Sequence, residues 1–197
     1  MEAVILSLVA LAAAWSGYSA AKWDTRSSDL LGRSLELQTE AEGAREEALQ
    51  IRTFDSVSFD AAFSAYVAHD HPAFELAIDR LRPGYRVAFD AWLAEKPLKN
   101  DDAPADPTQM PQYEIPEQQK AEALAKETHA TFEESRLAGN NSDKYVWLTV
   151  IFATVLFLVG ISGHFPIRSA RYGLIGVGCL LVVYCIVRLA SLPFPPG

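Results

Sequence analysis

Tyr145-Val-Trp-Leu-Thr-Val-Ile-Phe-Ala-Thr-Val-Leu-Phe-Leu-Val-Gly-Ile-Ser-Gly163 contains no charged residue. A helix that crosses the hydrocarbon core of a bilayer needs about 20 mainly apolar residues, so this stretch reads as a membrane span. Two further apolar stretches accompany it. Residues 172–192 carry one charge, Arg188, four residues from the apolar end, where its long side chain can snorkel to the headgroups. Residues 3–21 are the least apolar of the three, being rich in Ala and Ser. Ser19-Ala20-Ala21 looks like a signal-peptide cleavage site, but only Met1-Glu2 precede the apolar run and neither is basic. Trp15, Tyr18 and Trp23 form an interfacial aromatic belt, which favours a retained helix.

The sequence therefore predicts an all-α membrane protein with transmembrane helices at 1–21, 145–163 and 172–192, a short loop at 164–171 and a tail at 193–197. An extramembrane, bundle-like helical domain, 22–144, lies between the first and second spans. The chain has 197 residues and a net charge of −8. Residues 22–144 hold 14 Lys/Arg against 24 Asp/Glu. That balance argues against nucleic acid as a partner, since no basic patch is present to neutralise phosphates. The bilayer itself is the expected partner.

Arg168 and Arg171 lie in the short 164–171 connection and orient the protein by the positive-inside rule. They place that loop in the cytoplasm and 22–144 outside it. Lys22, Arg26, Arg33, Arg136 and Lys144 flank the membrane on the domain side and pull the other way, although charges in a long translocated domain count for less. Cys179 and Cys185 both fall in the last span and do not bear on the redox compartment of the domain.

From Trp23 a seam at alternating four- and three-residue spacing runs through 27, 30, 34, 37, 41, 44, 48, 51, 55, 58, 62 and 65. Nine of its positions are apolar, three are serine, and only Asp55 is charged. Such a seam with small knobs predicts a long helix packed closely against another. Phe59, Phe63 and Tyr66 add a second apolar face to its distal half. Ala68-His69-Asp70-His71-Pro72 ends the helix, with Asp70 or His71 capping the next and Pro72 in its first turn. Arg82-Pro83-Gly84 separates that helix from a third, which carries Tyr85, Ala88, Phe89, Trp92 and Leu93. Five prolines in 97–116 make this segment a surface strap. A return helix starts at Glu117, and Gly139-Asn140-Asn141 is expected to break or bend it before Ser142 or Asn141 caps the second span.

Catalytic chemistry is weakly signalled. His69, Asp70 and His71 are the most site-like triplet, but two imidazoles and a carboxylate need further converging ligands to make a metal site. His129 and Glu133 can meet at i, i+4, and Asp101, Asp102 and Asp106 lack the spacing of a Ca²⁺ loop. Gly173, Gly176 and Gly178 lie in an apolar span without the Lys-Ser/Thr of a phosphate loop, and read as close-packing positions. No catalytic residue, cofactor or firm metal ligand is identified.

Two small-residue ladders mark the first span, Ala12-Ser16-Ala20 and Ala13-Gly17-Ala21. Small residues let helix backbones approach in lipid. Their partner is either the chain's own return helix or a second copy, and homo-oligomerisation through this face is the expectation. The function expected is that of a non-enzymatic membrane protein that oligomerises or docks an unknown protein. A subunit of an oligomeric channel or transporter is the alternative, and a membrane enzyme or metal-binding protein the third reading.

The phrases AWSGYSAAKW (14–23), RPGYRVAFDAWL (82–93) and SDKYVWLTVIFATVLF (142–157) resemble a family of uncharacterised small bacterial membrane proteins. Its members have one N-terminal span, a helical domain and a C-terminal two-helix membrane hairpin. The resemblance implies a bacterial cytoplasmic (inner) membrane location and no catalytic activity.

Overall fold

A computed structural model describes residues 2–163 and 168–196. The side chains of residues 2–5, Arg168 and Ala170 fall outside the description. The described residues form five α-helices and no strand: α1 (Glu2–Val67), α2 (His71–Asp79), α3 (Pro83–Ala94), α4 (Pro116–Ser162) and α5 (Arg168–Ala190). A 3₁₀ turn, Pro107–Gln109, lies between α3 and α4. The chain divides into two compact units. One comprises residues 1–35 with 128–197; the other is 36–127.

In the first unit, α1 and α4 are laced together by small polar side chains. The Ser142 hydroxyl donates to the Ala20 carbonyl at 3.0 Å. Ser27 and Ser135 donate reciprocally to each other's carbonyls, at 2.9 and 2.8 Å. Ser34 donates to the Thr128 carbonyl at 3.3 Å. These contacts recur every seven residues on both helices, the repeat that keeps a seam facing its partner. Gly139 belongs to this contact: a Cβ built there would come within 3.2 Å of Ser27 Oγ. This corrects the reading of Gly139-Asn140-Asn141 as a break. α4 continues through it, and Ser142 bonds across to α1 instead of capping a new helix. The glycine serves close approach.

Further along the same unit, Val9 of α1, Leu148, Phe152 and Val155 of α4 and Cys185 of α5 form a buried apolar cluster. Gly178 of α5 meets Val159 closely. Tyr145 donates its hydroxyl to the Pro193 carbonyl at 2.9 Å, fixing the tail against α4.

Two described helices, and not the three expected, are long and apolar enough to cross a membrane: α4, with a mean hydropathy of 2.2 over its best window, and α5 from Arg171, with 2.3. The expected first span does not join them. Its most apolar run, Ala3-Val4-Ile5, falls on side chains outside the description, and the remainder from Leu6 onwards is diluted by Ser7, Ser16 and Ser19.

The second unit has an aromatic core. Ala62, Ile78, Leu81, Tyr85, Phe89 and Trp92 are buried, with Phe59, Phe63 and Phe74 packed against them. Phe59 stacks on Phe63 at 5.4 Å and meets Trp92 edge-on at 5.2 Å, arrangements that the ring quadrupole favours. Each such ring, once buried, contributes about 1.5–3 kcal/mol before entropy is counted. The proline-rich 97–116 segment is more than a surface strap. Pro107 and Ile115 are buried, Met110 and Tyr113 pack on the aromatic cluster, and the Pro104 carbonyl accepts the Trp92 indole N–H at 2.7 Å. The α1 seam is buried or half-buried at every position from Trp23 to Ala65.

Candidate functional site

Asp55 is the one charged residue of the seam, and its side chain is fully buried. A buried carboxylate is costly unless it is paired and hydrogen-bonded, and two side chains of the second unit meet that need. Arg82, at the start of α3, forks onto it, with Nη2 2.8 Å from Oδ2 and Nε 3.3 Å from Oδ1. Pro83 restricts the residue before it to extended backbone, and Arg82 has φ −58° and ψ 136°. The same Arg-Pro-Gly sequence that ends α2 thus sets the arginine where it meets α1. Tyr113 of the strap donates its hydroxyl to Oδ2 at 3.1 Å. One turn before Asp55, Arg52 donates to the Gln118 side-chain oxygen at 2.9 Å and ties α1 to the start of α4.

The electrostatics follow from this geometry. The hydrogen bond to Asp55 raises the Arg82 pKa further, against desolvation. Tyr113 is raised by desolvation and then by the Asp55 charge. Tyr85 meets Tyr113 edge-on at 5.7 Å and is pushed up strongly, again by desolvation first and Asp55 second. Its hydroxyl is buried without a hydrogen-bond partner. Both Asp55 oxygens are engaged and neither reaches solvent. General acid–base work requires a group within hydrogen-bond reach of a substrate, whereas this carboxylate acts as a clamp that holds α1, α3 and the strap together.

The other expected residues have local tasks. His69 sits at φ 59°, the left-handed position that closes a helix. Its N–H donates to the Tyr66 carbonyl, and that of Asp70 to the Ala65 carbonyl, completing a Schellman cap on α1. The Asp70 carboxylate accepts the Ala73 N–H at 3.1 Å as the N-cap of α2, and His71 opens that helix. The triplet is thus organised as a helix junction, and among the described residues no three His, Cys, Asp or Glu side chains converge as a metal site. Glu133 pairs with Arg136 at 2.8 Å and His129 is exposed. Asp106 accepts from the Thr108 backbone N–H and hydroxyl, and caps the 3₁₀ turn.

Of the packing residues, Ser16 and Ala20 are buried and Ala12, Ala13 and Gly17 half-buried within the single chain, while Ala21 is exposed. The ladder is therefore largely covered by the chain itself. Gly17 has nothing within 4 Å of a built Cβ, so this glycine is not at a point of tight approach. Arg168 and Arg171 lie in the first turn of α5 and not in a loop, because the helix extends below the apolar stretch. The rest of the expected loop, 164–167, is outside the described residues.

Sequence reasoning did not find the partners of Asp55. The signal for the site was the lone acid in an otherwise uncharged seam. No protein-family model, curated protein or solved structure matches this chain.

Proposed function

We propose that this chain is a non-enzymatic integral membrane protein that presents residues 36–127 as a helical docking module for a protein partner. The observation that carries the membrane reading is the apolar exterior of α4 and α5. Phe157, Leu180, Val183 and Val187 are 66%, 74%, 61% and 64% exposed on two helical stretches, 145–162 of α4 and 172–190 of α5, whose one charge is Arg188. Soluble monomers rarely expose a contiguous apolar patch beyond a few hundred Å², and lipid is the solvent such a surface suits. The start of α1 supplies a third span in this reading, supported by Val9 in the cluster it shares with α4 and α5. The scaffold reading is supported by Asp55, whose charge is consumed in packing.

The resemblance to small bacterial membrane proteins makes the cytoplasmic membrane the proposed location. Arg168 and Arg171, at the start of α5, favour a cytoplasmic placement of that end of the helix and an extracytoplasmic 36–127 unit. Extraction of native membranes with alkaline carbonate tests the anchor. The chain stays with the bilayer, and release into the supernatant would refute it. A cysteine at Ala103, in a background without Cys179 and Cys185, tests the sidedness: an impermeant thiol reagent labels it in intact cells.

A further inference from the structure

In the first unit a cavity of 540 Å³ opens between α1 and α4, lined among others by Lys22, Trp23, Arg26, Asp29 and Glu134. Its charge pattern is unusual. Two cations and two carboxylates share one cavity, yet none of the four forms an ion pair or hydrogen bond with another described residue. Trp23 adds apolar wall, its indole N–H being closed off from solvent.

The charges are layered. The hydrogen bonds between Ser142 and Ala20, and between Ser27 and Ser135, fix the antiparallel register of the two helices. In that register Glu134 lies level with residue 28, one residue from Asp29. Measured from the apolar segment, Lys22, Trp23 and Arg26 come first and the two carboxylates follow. The step from Arg26 to Asp29 is three residues, about 4.5 Å of helix rise. A phospholipid headgroup with a terminal amine has the same order: phosphate next to the glycerol, ammonium further out, two methylenes apart.

We propose that this cavity binds the headgroup of a zwitterionic aminophospholipid of the ethanolamine type. Lys22 and Arg26 hold the phosphate oxygens, and Asp29 and Glu134 accept hydrogen bonds from the primary ammonium. A quaternary choline cannot donate those bonds, and a purely anionic headgroup would leave both carboxylates facing negative charge. The inference rests on the membrane reading above, since the layering has meaning only if the apolar segments lie in lipid.

The test uses the full chain in nanodiscs of mixed phosphatidylethanolamine, phosphatidylglycerol and phosphatidylcholine, with retained lipid read by native mass spectrometry. The wild type retains the ethanolamine lipid about tenfold over its bilayer fraction, the enrichment expected from two exposed charge-assisted contacts. The double change Asp29→Asn with Glu134→Gln leaves two unopposed cations and shifts the preference to phosphatidylglycerol. Lys22→Gln with Arg26→Gln abolishes retention of both. All four positions are on the helix surface, so these variants keep the fold, and a circular dichroism spectrum checks it. In detergent without lipid, inorganic phosphate and phosphoethanolamine do not bind at millimolar concentration; binding of either would assign the site to a soluble phosphate ester and overturn the lipid. Equal retention of all three lipids, or unchanged preference in the carboxylate variant, also overturns it. A chain that stays soluble without detergent and does not enter nanodiscs refutes the membrane reading itself, whereas one that enters them without lipid preference refutes only the headgroup site.

Discussion

The two units bury their helices by opposite means. In the first, α1 and α4 approach through Ala20, Ser27, Ser34, Ser135, Gly139 and Ser142, with hydroxyls bonded to carbonyls across the contact. In the second, α1 joins α2 and α3 around a core built from Phe59, Phe63, Phe89 and Trp92, and a buried ion pair closes it. The laced stretch, 20–34 with 128–142, lies outside the apolar segments at 3–21 and 145–163 except at Ala20, so there the small side chains serve close backbone approach and cross-helix hydrogen bonding and not contact with lipid. In the aromatic unit large rings repay burial from water. One contact is specified by distance, the other by the volume it fills.

The largest expected effect lies in the aromatic unit. Asp55→Ala leaves Arg82 and the Tyr113 hydroxyl without their shared acceptor, and should cost about 3 kcal/mol, since breaking a buried pair is more damaging than replacing it. Denaturant unfolding in detergent, followed by Trp92 fluorescence in a background with Trp15, Trp23 and Trp147 changed to Phe, measures it. The double change Asp55→Leu with Arg82→Met should recover most of that loss. If the single and double changes are equally damaging, Asp55 is not a packing clamp.

Gly139→Leu tests the laced unit. Its side chain would enter the contact with Ser27 and should destabilise by about 2 kcal/mol through overpacking. Gly17→Leu, on the same face of α1 but with open space around its Cβ, should cost much less. Thermal unfolding of both variants in one detergent sharpens the comparison, and equal losses would show that small residues here do not mark close approach.

Alkaline pH should weaken the aromatic unit selectively. Tyr85 and Tyr113 hold their protons to higher pH when folded than the ordinary value of 10.0. The unfolded chain therefore releases these protons first. Stability is level below about pH 10 and falls as pH rises above it, by at most about 1.4 kcal/mol per pH unit for each group. Tyr85→Phe removes one contribution to that slope. It also discards an unpartnered buried hydroxyl, so at neutral pH it should be neutral or stabilising by up to about 1 kcal/mol. A marked loss at neutral pH would mean that the hydroxyl has a partner in solution.

The smallest effect is at the helix junction. His69 occupies a left-handed position that glycine adopts without steric cost. His69→Gly should stabilise by about 0.5 kcal/mol, read as a small rise in melting temperature. A destabilisation would point to a role for the imidazole beyond the turn.

Much of this was legible in the chain. The seam from Trp23 to Ala65 is a periodic signal, and periodicity reports which face is buried. It also exposed Asp55 as the residue that did not fit. It could not report that the partners of Asp55 stand 27 and 58 residues away, one in a turn signal and one in a proline-rich strap that reads as solvent-exposed. Gly139-Asn140-Asn141 was misread because a local turn rule competes with a tertiary one, and close approach to Ser27 won. The small-residue ladder of the first span announced a close helix contact but not its partner, since small side chains specify distance and not identity. Ser135 and Ser142 on α4, seven residues apart, were the available clue that the partner is internal.

The central claim, that α5 faces hydrocarbon while the 36–127 unit faces water, is tested most directly by spin-label accessibility in liposomes. Nitroxides are placed by Leu180→Cys on α5 and Val57→Cys in the second unit, both exposed apolar positions, in a background without Cys179 and Cys185. Relaxation by oxygen, which concentrates in lipid, should dominate at 180, and relaxation by a water-soluble nickel chelate should dominate at 57. Equal access of the nickel chelate to both labels would contradict the account.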